Sequence, residues 1–245
     1  MSSRVYSFAI SAVLATGAMA VVAPIAEPPD SQGNLVSGAI ETADTPWTGT
    51  SYDVRHVINP GGGRPLIIKV LTSDSRDDLG PRLAVNTVNG DSWVAWWRHG
   101  SIDQVIVRKR INATGAWTPE RVQSVATVGS RHPSITFEGS RGWIAYEVTG
   151  TSGEILLEAK VIEDDPAPFL SANVVATTRN PGIVEARIQA EYGRLWLTWV
   201  DGTTEVGWCR YDAATSTWSV PRFESYELDS VAEARGRIRS TVLAN

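Results

Sequence analysis

The chain has 245 residues, of which 42% are hydrophobic and 20% charged, and its net charge is −5. That balance fits a soluble, mostly β protein, and with no basic stripe it argues against a nucleic-acid partner. Cys209 is the one cysteine, so no internal disulfide can form and packing must supply the stability. Cys209 itself is expected as a small buried apolar side chain.

The N-terminus reads as an export signal. Arg4 supplies the positive start, Phe8 to Ala20 is apolar and small, and Ala18-Met19-Ala20 fits a small-x-small cleavage site. The uncharged run from Val5 to Ala26 also permits an uncleaved anchor, the one case in which a membrane would be a partner. Residues 1–22 are therefore expected as signal peptide or N-terminal anchor, 23–34 as a Pro-containing tether, and 35–245 as the folded domain. The location expected is periplasmic or extracellular.

The domain opens in mid-repeat. Asp53 through Gly61 resembles Ile106 through Thr114 at an offset of 53 residues, and Pro65 through Thr72 then matches a fourth strand. Leu35 through Glu41 would supply a second strand. Three full copies follow, near 80–126, 130–178 and 183–226. Their Trp strands begin at Gly90-Asp91-Ser92-Trp93, Ser140-Arg141-Gly142-Trp143 and Gly193-Arg194-Leu195-Trp196, with steps of 50 and 53 residues. Each copy has a Pro- or Ala-led inner strand, a Gly turn, the Trp strand, a third strand, a polar turn with an aromatic, and a closing strand. In the second copy Phe169 holds that aromatic place. Alternation, β-branched residues and Gly/Asn/Asp turns fit short antiparallel strands. A period near 50 is the signature of propeller blades.

At the C-terminus, Glu233-Ala234-Arg235-Gly236-Arg237-Ile238 echoes Glu185-Ala186-Arg187-Ile188 one period earlier. The tail is thus expected as an orphan inner strand. It would complete a composite blade made by both termini and remove exposed sheet edges. The fold expected is an all-β propeller of about four blades, three full and one composite. Two alternatives stand. One is an amphipathic helix from Ser230 to Leu243, favoured by Ala232, Glu233, Ala234 and Arg235. The other is an open array that closes by oligomerising.

These repeats resemble bacterial extracytoplasmic propeller proteins of the sialidase-like kind, over roughly residues 51–226. Asn112, Thr114, Gly115 and Trp117 are similar to a decayed Asp-box turn, as are Asp212, Thr217 and Trp218, although the Ser is absent from both. The resemblance implies a fold; in that family the turn is structural. A sialidase-like site would need three arginines, a Tyr with a Glu partner, and an acid/base Asp. Tyr146 and Glu147 are neighbours on a strand and point to opposite faces, as do Glu191 and Tyr192, so neither pair meets the requirement.

Candidate ligand-binding residues are Arg82, Arg187 and Arg237, which occupy matching places in three inner strands, with Ser134 at the fourth. Converging guanidiniums would hold an anion; local pairing with Asp77, Asp78, Glu185 or Glu233 is the competing reading. Trp93, Trp96, Trp143, Trp196 and Trp199 fall at repeat-equivalent positions and are expected in the inter-blade core. Trp97 and Trp208 lie outside that pattern and are freer to form surface platforms. His56, His99 and His132 are not at metal-ligand spacing. Asp74, Asp77 and Asp78, or Glu163, Asp164 and Asp165, read as solvated acids before they read as calcium loops. Gly61-Gly62-Gly63 lacks the Lys-Ser/Thr of a phosphate loop. No catalytic residue, metal or cofactor is expected. The function expected is a non-catalytic propeller binding module for a glycan or an envelope protein. A propeller-type glycoside hydrolase and a structural subunit of an envelope assembly are the alternatives.

Overall fold

The structure, a computed structural model, describes residues 35–36, 39–124, 128–149, 155–162, 173–177, 186–201, 204–225 and 230–244. The expected leader and tether lie outside the described residues, as do Glu163, Asp164, Asp165, Phe169 and Glu185.

Four antiparallel sheets follow one another along the chain. Blade one is β1 (Leu35–Val36), β2 (Ala39–Asp44), β3 (Arg55–Asn59) and β4 (Ile67–Val70). Blade two is β5 (Asp78–Val85), β6 (Ser92–Arg98), β7 (Gln104–Arg110) and β8 (Arg121–Val122). Blade three is β9 (Ser130–Glu138), β10 (Arg141–Thr149), β11 (Ile155–Val161) and β12 (Asn173–Thr177). Blade four is β13 (Arg187–Glu191), β14 (Arg194–Asp201) and β15 (Glu205–Asp212), with β16 (Thr217–Trp218) and β17 (Arg222–Ser225) both paired to β15.

The spacing of the aromatic motif explains how the blades stack. Residues three apart on a strand point to opposite faces. Trp93 and Trp143 therefore turn toward the following blade, where Trp93 joins Ile135 and Phe137, and Trp143 joins Ile188 and Leu197. Trp96, Tyr146 and Trp199 turn toward the preceding blade: Trp96 meets Val54 and Leu71, Tyr146 meets Ala95 and Val107, and Trp199 meets Ala145 and Leu157. Side chains of this one motif thus fill each of the three interfaces between successive blades. Cys209 lies in this core, and burial pushes its thiol pKa far up.

Trp196 also faces forward, but no strand meets it. It packs with Val206 and Trp208 against Ala234, Ile238 and Val242 of α1 (Val231–Ala244). The C-terminal tail is therefore a helix covering the far face of blade four, and the expectation of a closing strand is corrected. The inner strand of blade one comes from its own N-terminal run, as β1, so that blade is not composite. The physical reason is local. Ser230 Oγ accepts the Glu233 N–H at 3.2 Å while Glu233 Oε2 accepts the Ser230 N–H at 2.8 Å, a reciprocal capping box that starts a helix. The echo of the inner strand in this segment is a similarity of residues without the strand's environment.

One buried polar cluster binds blade one to blade two, and a second ties β5 to β6 within blade two. His56 Nε2 lies 2.9 Å from Glu41 Oε2, and Ser92 Oγ donates to the same oxygen at 2.5 Å. Asp78 accepts the Trp96 indole N–H at 2.9 Å and Arg98 Nε at 2.7 Å.

Candidate functional site

A repeated irregularity in the inner strands sets the site. In blade two, Leu79 pairs with Trp97 and Arg82 with Ala95, so Gly80-Pro81 stands opposite Trp96 alone. In blade three, Arg131 pairs with Glu147 and Ser134 with Ala145, so His132-Pro133 stands opposite Tyr146 alone. Both are bulges of one extra residue. The bulged residue is left-handed in each: Gly80 has φ 57° and His132 has φ 47°. Glycine takes that conformation without strain; histidine does so at some cost.

The two bulges lie at the same end of the array, where inner strands start and second strands finish. There the half-buried Trp97 indole is met edge-on by His99 at 6.1 Å and by His132 at 5.8 Å between centroids. The Arg131 guanidinium lies 5.8 Å from the Trp97 ring centroid. Two buried carboxylates orient these groups. Asp103 accepts Arg131 Nε at 2.6 Å and lies 2.8 Å from His99 Nδ1. Glu147 Oε2 lies 2.8 Å from His132 Nδ1, while Glu147 Oε1 is buried without a hydrogen-bond partner. A buried acceptor left open is costly unless a ligand or water fills it.

Beside this cluster is a cavity of about 290 Å³ lined by Arg76, Arg98, His99, Ser101, Ile102 and Gln104. Arg98 is committed to the wall: besides Asp78 it donates to both oxygens of Glu120, at 2.8 and 3.1 Å. Burial works against its charge, yet these bonds raise its pKa above the ordinary arginine value. A pair of exposed aromatics, Trp47 and Tyr52, with ring centroids 5.1 Å apart, is tied to the same end. Asp77 holds both sides, accepting the Tyr52 N–H at 3.1 Å and the His99 N–H at 2.8 Å. The arrangement offers a polar pocket with aromatic side chains near it.

Of the sequence-predicted residues, Arg82 and Arg187 do occupy one rung. Arg82 lies opposite Ala95 and Arg187 opposite Thr198, each two residues beyond the aligned Trp93 and Trp196. Ser134 takes that rung in blade three, and its Oγ accepts the Ile188 N–H at 3.0 Å. Arg237 is not with them. It lies on α1, where it donates to the Ser225 carbonyl at 2.8 Å. Trp208 is buried beneath α1 and forms no surface platform. Trp97 is half-buried, packed at the edge of the core between blades two and three. Sequence reasoning missed His99, His132, Asp103 and Glu147. The available signals were Arg131-His132-Pro133 at the head of an inner strand and a His two residues beyond Trp97.

Among the described residues, the Tyr146 and Glu147 side chains do not form the Tyr–Glu pair of a sialidase-like site. Tyr146 finds a carboxylate across the sheet in Glu158 rather than in its neighbour Glu147. Burial, then the charge and hydrogen bond of Glu158, push the phenol pKa far up, so it stays protonated. In the Ser92, Glu41 and His56 cluster the carboxylate sits between hydroxyl and imidazole and all three side chains are buried, so the imidazole cannot take the Ser92 proton. Among the described residues, no three His, Cys, Asp or Glu side chains gather as a metal site, and no helix is long and apolar enough to cross a membrane.

Four face-packed antiparallel blades define a β-propeller, and solved structures bear this out. The chain is similar to the Hadza microbial sialidase Hz136, with a TM-score of 0.53 and 13% identity over 69% of this chain and 40% of that one. It is also similar to the Trypanosoma rangeli sialidase in complex with the inhibitor DANA, with a TM-score of 0.51 and 8% identity over 75% of this chain and 36% of that one. The chain thus spans less than half the length of either. At this identity the likeness is one of fold, and at that level the propeller is sialidase-like. No protein-family profile and no curated protein sequence matches the chain.

Proposed function

We propose that this propeller is a non-catalytic carbohydrate-binding module whose site is the Trp97, His99 and His132 end of blades two and three. One observation carries the reading. His132 is held at φ 47° where the neighbouring blade uses Gly80, and this strained placement sets its imidazole between Trp97 and Glu147. Strain retained at one position, beside an open buried acceptor, is what a binding site costs. A partly exposed indole offers an apolar sugar face a surface, and Gln104 and Ser101 offer partners for hydroxyls. The structures it is similar to are sialidases, which favours a glycan over an envelope protein as the ligand. Arg82 and Arg187 remain proposed contacts for an acidic sugar. The protonated, buried Tyr146 argues for binding without hydrolysis. The leader at 1–22 fits export to meet such a ligand.

The test is calorimetric titration with neutral, uronic and sialylated oligosaccharides, alongside a fluorogenic sialoside assay. Binding without product is expected, with Trp97→Ala and His99→Ala each weakening it by about tenfold or more. Turnover of the sialoside, or full affinity in both variants, would overturn the reading.

A further inference from the structure

Among the described residues, every blade face but one is covered. The faces between blades one and two, two and three, and three and four are buried in three apolar clusters, and α1 covers the far face of blade four. The outer face of blade one has no such cover among the described residues. Val57 pairs with Ile68 and Arg55 with Val70, placing these four side chains on that face. Ile68 is 50% exposed and Val70 48%. Strand β4 is also the sheet edge, and Ile67 at its start and Leu66 just before it are 56% and 54% exposed. Exposed apolar edge strands are avoided in monomeric proteins because they recruit a partner.

We propose that this face pairs with the same face of a second copy of the chain, across a two-fold axis. Two observations select that occupant. First, α1 closes the opposite end, so copies cannot stack head to tail and the bare end can meet only its like, which gives a closed dimer. Second, the face carries no net charge to repel its copy. Arg55 is already paired with Asp44 at 2.7 Å, and Lys69, the residue between Ile68 and Val70, alternates to the other side of the strand. The two-fold pairing would cover both apolar faces and bring the two β4 edges together.

The experiment is light scattering coupled to gel filtration on the full chain, over a range of concentrations. The parent is expected at twice the mass of one chain. Ile68→Lys/Val70→Lys, at positions already half exposed, should stay folded by circular dichroism and raise the dimer dissociation constant by about tenfold or more. Because Cys209 is buried, a single Ile68→Cys variant offers one accessible thiol, and mild oxidation should yield a covalent dimer. A parent of single-chain mass at all concentrations, or a folded double-lysine variant that remains dimeric, would overturn the proposal. An Ile68→Cys thiol that stays protected in a single-chain species would assign the face to the N-terminal segment instead and would equally sink it.

Discussion

The indole of Trp199 lies against the α-carbon of Gly207, its cross-strand partner, so that a Cβ added there would stand 2.2 Å from Trp199 Cε2. Trp199 is fully buried between blades three and four, with no room to retreat. The glycine is required by the close approach of a ring. Gly207→Ala should therefore cost at least ~1–3 kcal/mol by overpacking, read as a lower urea midpoint with an unchanged slope. An unaltered midpoint would mean the indole has space to move.

Trp96 and Trp97 are adjacent but differ in fate. Trp96 is 0% exposed and donates to Asp78, whereas Trp97 is partly open at the candidate site. Trp96→Ala should lose roughly 3–5 kcal/mol of stability and Trp97→Ala much less, while Trp97→Ala alone removes the fluorescence response to sugar. Equal losses of stability would refute this division.

His132 permits a test of strain against use. His132→Gly and His132→Ala both delete the imidazole and should weaken glycan binding equally. Only alanine keeps a Cβ in the left-handed bulge, so His132→Ala should be the less stable of the two by about 1 kcal/mol. Thermal unfolding of the pair reads that difference directly, and identical melting would show the bulge to be unstrained.

Glu41 sets an acid limit on the blade-one junction. Burial works to raise its pKa, but hydrogen bonds from His56 and Ser92 and the charges of His56 and Arg110 outweigh this and hold it below the ordinary 4.5. A carboxyl depressed in the folded state contributes stability that is present above its unfolded value and lost as pH falls through its folded value. Unfolding free energy should thus decline below about pH 4.5, and the decline should be shallower in Glu41→Gln. Parallel pH curves for the two proteins would exclude Glu41 as its source.

Ser230→Ala should remove half of the capping box and destabilise α1 by about 1 kcal/mol. Because α1 covers Trp196 and Trp208, the change should appear as red-shifted tryptophan emission well before global unfolding. Emission and circular dichroism that change together would show that the helix never opens alone.

The blades were legible because their signals are local and repeated. Trp93, Trp143 and Trp196 mark the same rung, and alternation around them fixes which side chains are inside. The tail misled for the opposite reason. Its likeness to Glu185 through Ile188 is a matter of residue types, whereas Ser230 and Glu233, three apart, carry the stronger statement about backbone geometry. The site was only partly legible. Trp97 stood out by failing the repeat, but Asp103, Glu147 and the two histidines are distant in sequence. They meet only because two inner strands carry a bulge at the same height, and a bulge is set by pairing across strands that no single segment reveals.

The position of α1 bears on how this architecture is inherited. A propeller whose last blade must meet its first can hold only the number of blades its geometry allows. Here α1 covers the far face of blade four, so that face does not pack on another blade. Duplication or loss of one unit between blades two and four would leave the outer face of blade one and the α1 packing in their present environments, as in linear repeat proteins whose caps are indifferent to what lies between them. Variants with an added middle blade should therefore fold.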